Sequence, residues 1–196
     1  ELLRGRNAKL ILPNHQALVD PQILFSHLYK YSKVVPVVSD MFYKNKILKM
    51  LFNSFEAVPV SDLSAGSRDL NVLTNVYQNV IDALKNKKNV LLYPSGQIAG
   101  QGFEKIINKQ SAWMVVNDLP ENTQVIGIRI TGLWGSMWSR AWLGTSPPFF
   151  KTFIKGIFYV FANLVFFLPR RKITIEIYDI TKLSKKKAKE GKLVFN

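Results

Sequence analysis

The sequence predicts an α/β domain with a mainly parallel central sheet flanked by helices. Short apolar runs rich in β-branched residues alternate along the chain with amphipathic stretches of helical period, the pattern of strand–helix–strand units. Neither internal repeats nor low-complexity linkers break that order. With 196 residues, 47% of them apolar, the chain suits one domain with ample material for a core.

Each element has its own signal. Residues 9–12 form a first apolar strand and residues 21–30 a short helix. Val34-Val35-Pro36-Val37-Val38 reads as a strand whose proline predicts an edge or a bulge, because proline has no N–H for a ladder. Residues 40–52 alternate lysines with Ile47, Leu48, Leu51 and Phe52, an amphipathic helix, and residues 57–60 make a short strand. The clearest helix spans 67–87. It places Leu70, Leu73, Tyr77, Val80, Ile81 and Leu84 on one face, with Ser67 set to cap its start. Lys85, Lys87 and Lys88 suit its C-terminal dipole. A strand at 89–93, a helix near 109–117 and strands at 124–130 and 172–178 complete the series.

Composition narrows the function. Without cysteine there is neither a disulfide framework nor a thiolate zinc site, and two histidines are too few for a His-rich metal site. The chain opens at Glu1 and runs directly into a strand. Nothing resembles a signal peptide, which predicts a piece cut from a longer polypeptide. The formal charge is +14, and residues 151–196 hold eleven Lys or Arg against Glu176, Asp179 and Glu190, or +8. Such a basic chain suits nucleic acid, an anionic membrane or acidic ligands. The aromatics Phe149, Phe150, Phe153, Phe158, Phe161, Phe166 and Phe167 lie in apolar runs rather than interleaving with Arg as base-stacking platforms do, so a nucleic-acid partner is not expected. Residues 156–168 carry no charge for thirteen positions, short of the roughly twenty a bilayer span takes. Between Lys151, Lys155 and the pair Arg170-Arg171, they suit a helix lying at a lipid interface or a buried core helix. Lys185-Lys186-Lys187 reads as a solvated, frayed end.

Chemistry concentrates in Asn14-His15-Gln16-Ala17-Leu18-Val19-Asp20, at the mouth of the first strand. An imidazole titrates near neutrality and can take a proton from an alcohol, while a carboxylate on its other nitrogen fixes the tautomer and stabilises the imidazolium. No serine or cysteine stands inside the motif, which points to direct attack by a substrate hydroxyl rather than a covalent enzyme intermediate. The same residues also suit a turn histidine beside a helix cap. After the fourth strand comes Pro94-Ser95-Gly96-Gln97, with Gly100 and Gly102 beyond. Such a loop can bring backbone amides to a phosphate or an oxyanion, and it also reads as an ordinary βα turn. Both segments follow strands at the carboxyl edge, where open α/β sheets bind ligands.

Together these segments resemble the glycerolipid acyltransferase family, which includes 1-acylglycerol-3-phosphate acyltransferases. Asn14, His15 and Asp20 match its first block, Asn-His, four residues, then Asp. Tyr93-Pro94-Ser95-Gly96 stands where the family usually has Phe-Pro-Glu-Gly, and Val125-Ile126-Gly127-Ile128-Arg129-Ile130-Thr131-Gly132 is similar to its last block. The resemblance covers roughly residues 8–180. Gly132-Leu133-Trp134-Gly135-Ser136 and Pro169-Arg170-Arg171-Lys172-Ile173-Thr174-Ile175 look most like the acyltransferase part of bifunctional acyltransferase–acyl carrier protein synthetases. The resemblance implies an acyltransferase domain over 1–180 with a basic C-terminal tail over 181–196. It implies transfer of a fatty acyl group from an acyl-CoA or acyl carrier protein thioester to a lysolipid hydroxyl. His15 and Asp20 would be catalytic, with Asn14, Tyr93, Pro94, Ser95, Gly96, Gln97 and Arg129 binding substrate and an acyl tunnel lined from the apolar helices. A membrane-associated enzyme at the cytoplasmic face follows, with no cofactor or metal, since a thioester is already activated.

Two departures bear on this. Ser95 replaces the usual Glu, and a serine is shorter, uncharged and able to donate as well as accept. In the region of the second block, Phe55-Glu56-Ala57-Val58-Pro59-Val60-Ser61-Asp62, no arginine appears until Arg68, and Gln97-Ile98 follows Gly96 where Thr-Arg is usual. Both features favour a zwitterionic lysophospholipid or a non-phosphorylated alcohol over a phosphate monoester. Ser95 also motivates a second expectation, a catalytically weakened member that binds membrane or carrier.

Overall fold

The computed structural model describes residues 2–39, 43–60, 70–106, 109–163 and 171–195. Its strands are β1 (Lys9–Pro13), β2 (Val34–Ser39), β3 (Val58–Val60), β4 (Asn89–Leu91), β5 (Gln124–Thr131) and β6 (Thr174–Asp179), joined in one sheet of order β3-β2-β4-β1-β5-β6. All pairs are parallel except β5 with β6, which run antiparallel from Ile126↔Asp179 to Thr131↔Thr174. The helices are α1 (Asp20–Tyr29), α2 (Lys46–Ser54), α3 (Leu70–Lys85), α4 (Ser111–Asn117), α5 (Phe149–Ala162), α6 (Thr181–Glu190) and α7 (Lys192–Phe195).

Strand alternation divides the core between the two faces of the sheet. Leu10, Leu12, Val90 and Val125 pack with Val76, Val80, Ile81 and Leu84 of α3 and with Ala112, Val115 and Val116 of α4. Ile11, Leu91, Ile126, Ile128 and Ile130 face the other way, onto Leu24 and Leu28 of α1. Cover on both faces is why the central strands read as unbroken apolar runs instead of alternating ones.

β2 is an inner strand of the sheet, where its proline had suggested an edge or a bulge. The register explains the tolerance. Val34, Val35 and Pro36 pair with β4, and pairing with β3 begins only at Val37, so Pro36 stands at the changeover. The other proline of this half, Pro59, lies in the edge strand β3. Glu56, in the turn before β3 with φ of 55°, receives Lys33 at 2.8 Å and also Lys88. Those two ammonium groups hold its carboxyl at about 2, so their support is present at neutral pH and is lost as pH falls toward that value. All three side chains are exposed, which keeps the contribution small.

The C-terminal segment also departs from expectation. Residues 181–195, read as a basic tail with a frayed lysine run, form α6 and α7. Ser184 and Ala188 are buried, the Trp113 indole N–H donates to the Ala188 carbonyl at 3.1 Å, and Val125 N–H donates to Thr181 Oγ1 at 2.9 Å. The buried face is made of small residues, which carry no apolar period, while the lysines stay at the surface. Ser67 and Arg68 lie outside the described residues, as do residues 164–170 of the apolar segment. We expect Ala188→Glu to lower the unfolding free energy by about 3 kcal/mol or more, since it buries an unpaired charge. Lys186→Glu on the exposed face should stay within about 0.5 kcal/mol. Urea unfolding of the two variants reads the difference, and equal effects would mean that α6 is not packed.

Candidate active site

β1 and β4 are adjacent and parallel, with Leu10 beside Val90 and Ile11 beside Leu91. The segments that follow them therefore leave the same edge of the sheet side by side. The first begins with Asn14, whose amide clasps β5. Its Nδ2 donates to the Ile130 carbonyl at 3.0 Å, its Oδ1 accepts the Ile130 N–H at 2.6 Å, and its own main-chain N–H reaches the Ile128 carbonyl at 3.2 Å. Asn14 thus holds the end of β1 to β5, and both polar atoms of its side chain are engaged.

The chain then wraps around Asp20, which is completely buried. A single oxygen, Oδ2, accepts from His15 Nδ1 at 3.0 Å, from Ala17 N at 2.9 Å and from Gln16 N. An ionised carboxylate can only accept, so Nδ1 carries the proton and Nε2 is left as the basic nitrogen. The imidazole is 13% exposed, open enough to meet a substrate. The loop is braced further by Leu18 N–H on the Trp138 carbonyl at 3.0 Å and by a bridge between Ala17 and Ser139.

The second segment comes up against the first. The Tyr93 ring lies 4.5 Å from that of His15, centroid to centroid, and Ala99 N–H donates to the His15 carbonyl at 2.7 Å. Pro94 and Ser95 are buried, whereas Gly96 and Gln97 are exposed. Gly96 adopts φ of 59° and its N–H closes a turn onto the Tyr93 carbonyl at 3.1 Å. The amides of Gly96 and Ala99 are therefore committed within the protein and do not face an oxyanion. Ser95 Oγ donates to the Gln97 carbonyl at 2.8 Å. The buried Tyr93 hydroxyl makes no hydrogen bond in the structure, and burial, reinforced by the charges of Asp20 and Glu104, raises its pKa well above the usual value.

Glu104 was not found by sequence reasoning. It is half-buried, and its Oε2 accepts the His15 N–H at 3.1 Å. Burial raises its carboxyl above the ordinary range, while the Ser95 hydroxyl, the His15 amide and the His15 charge pull it back. Its only sequence signal is a lone acid in a polar, glycine-rich loop. Arg129, by contrast, is not brought to the imidazole. It shares a face of β5 with Val125 and Gly127, opposite Ile128 and Ile130, and meets Glu176 across the strand pair at 3.8 Å.

Nearby, Gly132 takes φ of 97°, and a Cβ there would stand 2.1 Å from the Lys172 carbonyl oxygen, so no other residue fits. Arg171 closes the turn after it, donating to the carbonyls of Gly135 at 2.6 Å and Trp134 at 3.2 Å. Among the described residues no group of three His, Asp or Glu side chains could hold a metal ion. Hollows beside α3 (Ala57, Pro59, Asn79, Ala83) and over α1 (Gln22, Ile23, His27) contain none of the site residues, so neither is the acyl tunnel expected from the sequence. We expect Asn14→Ala to cost about 1–3 kcal/mol of stability, the range for leaving a buried donor and acceptor without partners. Thermal or urea unfolding measures this, and a neutral result would remove Asn14 as the clasp between β1 and β5.

Comparison with known proteins accords with this architecture. No curated protein matches the sequence. Among solved structures the chain is similar to the 1-acyl-sn-glycerophosphate (LPA) acyltransferase PlsC from Thermotoga maritima, with a TM-score of 0.55 at 14% identity. The match covers 95% of this chain and 66% of that one, just under two thirds of the relative's length, and at such identity the likeness is one of fold. The Acyltransferase family profile matches residues 1–175, from before β1 to the start of β6. That match includes the His15–Asp20 turn and the loop packed against it, and on it the chain belongs to the acyltransferase family.

Proposed function

We propose that the domain moves a fatty acyl group from a thioester, carried by coenzyme A or acyl carrier protein, to a hydroxyl of a lysophospholipid at the cytoplasmic face of a membrane. The observation that carries this reading is the bond from His15 Nδ1 to Asp20 Oδ2 at 3.0 Å, which leaves Nε2 as the base. Nε2 takes the proton of the acceptor hydroxyl as its oxygen attacks the thioester carbonyl carbon. The tetrahedral intermediate collapses, the carbon–sulfur bond breaks, and the imidazolium returns the proton to the departing thiolate. Asp20 stabilises the imidazolium in between. The ring of Tyr93 and the exposed turn at Gly96 and Gln97 would border the acceptor, with Pro94 and Ser95 supporting them from below. Arg129 stands apart from this cluster, and Glu56 is held by lysines, which supports a zwitterionic acceptor over a phosphate monoester.

α5 supports access from a membrane. Among the described residues no helix is long and apolar enough to cross one. Yet Phe150, Phe153, Ile154, Phe158, Val160 and Phe161 are exposed along α5, with Trp142 at 75% exposure ahead of it. Lys151 and Lys155 are exposed on the same helix. A core helix would bury these side chains, so the interfacial reading of the segment is the better one for its described part. α5 lies against Trp138, which packs on Phe149 at 5.9 Å and whose carbonyl holds Leu18 in the His15 loop.

We expect His15→Ala to lower single-turnover acyl transfer to a lysophospholipid by about 10²–10⁴-fold, the usual worth of general-base assistance. Asp20→Asn should lower it less, since the base survives in a poorer tautomer. A His15→Ala chain that keeps more than about a tenth of the rate refutes the assignment. Association with anionic vesicles tests the membrane. Each Phe or Leu gains about 1.5–3 kcal/mol on full burial, and each Lys near the surface adds about 1 kcal/mol that salt weakens. The domain should therefore sediment with vesicles and be partly released at high salt. Phe158→Ser with Phe161→Ser should weaken sedimentation without changing the circular dichroism, and unchanged binding by the folded variant would exclude α5.

A further inference from the structure

Position 95 lacks a carboxylate, yet the site does not. Glu104 reaches back from beyond the Gly100–Gly102 turn and places Oε2 on the His15 amide at 3.1 Å, while its buried Oε1 has no hydrogen-bond partner in the structure. The charged and titratable groups acting on it are His15 from the β1–α1 loop and Asp20 from α1, and Tyr93 after β4 feels its charge in turn. Ser95 is the neutral neighbour. Its hydroxyl donates to the Gln97 carbonyl at 2.8 Å and also favours the ionised form of Glu104, but it adds no charge to the site. Around a neutral imidazole, two carboxylates then stand close together in a largely buried site. Once His15 takes the proton of the attacking hydroxyl, its positive charge offsets both. An interaction that is unfavourable before the transition state and relieved in it accelerates the reaction.

We propose that Glu104 is a positioning residue of the reaction. It clasps the His15 main chain from the loop after β4 and supplies, with Asp20, the negative charge against which the imidazolium develops, standing in for the carboxylate that position 95 does not carry. This rests on the acyl-transfer reading above, and it makes Ser95 the mark of a relocated acid instead of a weakened site.

Glu104→Gln tests it, because glutamine keeps an oxygen for the His15 N–H and loses only the charge. With an acyl-CoA donor and a lysophosphatidylethanolamine acceptor, kcat should fall about 10- to 100-fold, the worth of a charge-assisted contact. KM for the thioester should change less than about twofold, and the acid limb of the pH–rate profile should move. Stability should respond in the opposite sense. A carboxyl whose folded pKa lies above its unfolded value favours folding at low pH and disfavours it as pH rises through the folded pKa. Glu104→Gln should therefore raise the melting temperature at neutral pH, and the gap should close in acid. A folded variant with wild-type kcat and pH profile overturns the proposal. So does a loss of activity that runs parallel to a loss of stability, since that is the mark of a merely structural residue. A measurement independent of turnover separates failure of this inference from failure of the acyl-transfer reading. The backbone amide resonance of His15 should shift with pH as Glu104 titrates, and that step should vanish in Glu104→Gln. A wild-type amide without the step overturns the clasp. The step present in a wild-type chain that turns over no thioester supports the clasp and counts against acyl transfer.

Discussion

One oxygen atom organises the carboxyl edge of this domain's sheet. Asp20 Oδ2 gathers the amides of Gln16 and Ala17 and the Nδ1 of His15, and it does so out of contact with solvent. A buried charge is tolerated when donors surround it. Here those donors come from the residues that must turn for β1 to connect to α1. The same contacts that settle the carboxylate therefore bend the loop, orient the ring and choose its tautomer. Remove the acid and all three lose their cause together.

The sheet supplies what that turn cannot supply alone. Because β1 and β4 are neighbours in a parallel sheet, the segments after them converge, and Tyr93, Ala99 and Glu104 all touch His15 from the second segment. Asn14 secures the third strand of this edge, β5. On the outer side, Leu18 and Trp138 join the turn to α5. The exposed apolar surface of α5 is thus joined to the His15 turn through Trp138, by one hydrogen bond and one ring contact.

How much of this was legible in the sequence depended on the range of each interaction. The strands from β1 to β5 and the helix α3 announced themselves through apolar period, and the His15–Asp20 turn through residue chemistry at short spacing. Pro36 misled because a proline signals a missing donor but not where the ladder changes partners. α6 was missed because Ser184 and Ala188 bury a face without any large apolar residue, while the lysines between them dominate the composition. Arg129 was knowable in part, since alternation along β5 sets it on the face opposite Ile128 and Ile130. Glu104 was not, because nothing in a glycine-rich loop tells which acid will fold back onto a residue eighty-nine positions earlier.

That separation has a consequence for the order in which the molecule assembles. The turn around Asp20 closes over five residues, and the entropy lost in closing a loop grows with its length. Local turns form within microseconds in an otherwise open chain, whereas contacts between distant segments wait for the topology that brings them together. A nascent chain that has only just released β1 and α1 can therefore hold His15 and Asp20 in register. It acquires the companion acid, the tyrosine and the amide of Ala99 only after β4 has docked beside β1. The turn around Asp20 is built from a local stretch of sequence and its surroundings are complete only late in folding, so a partly folded domain would carry its dyad without its setting.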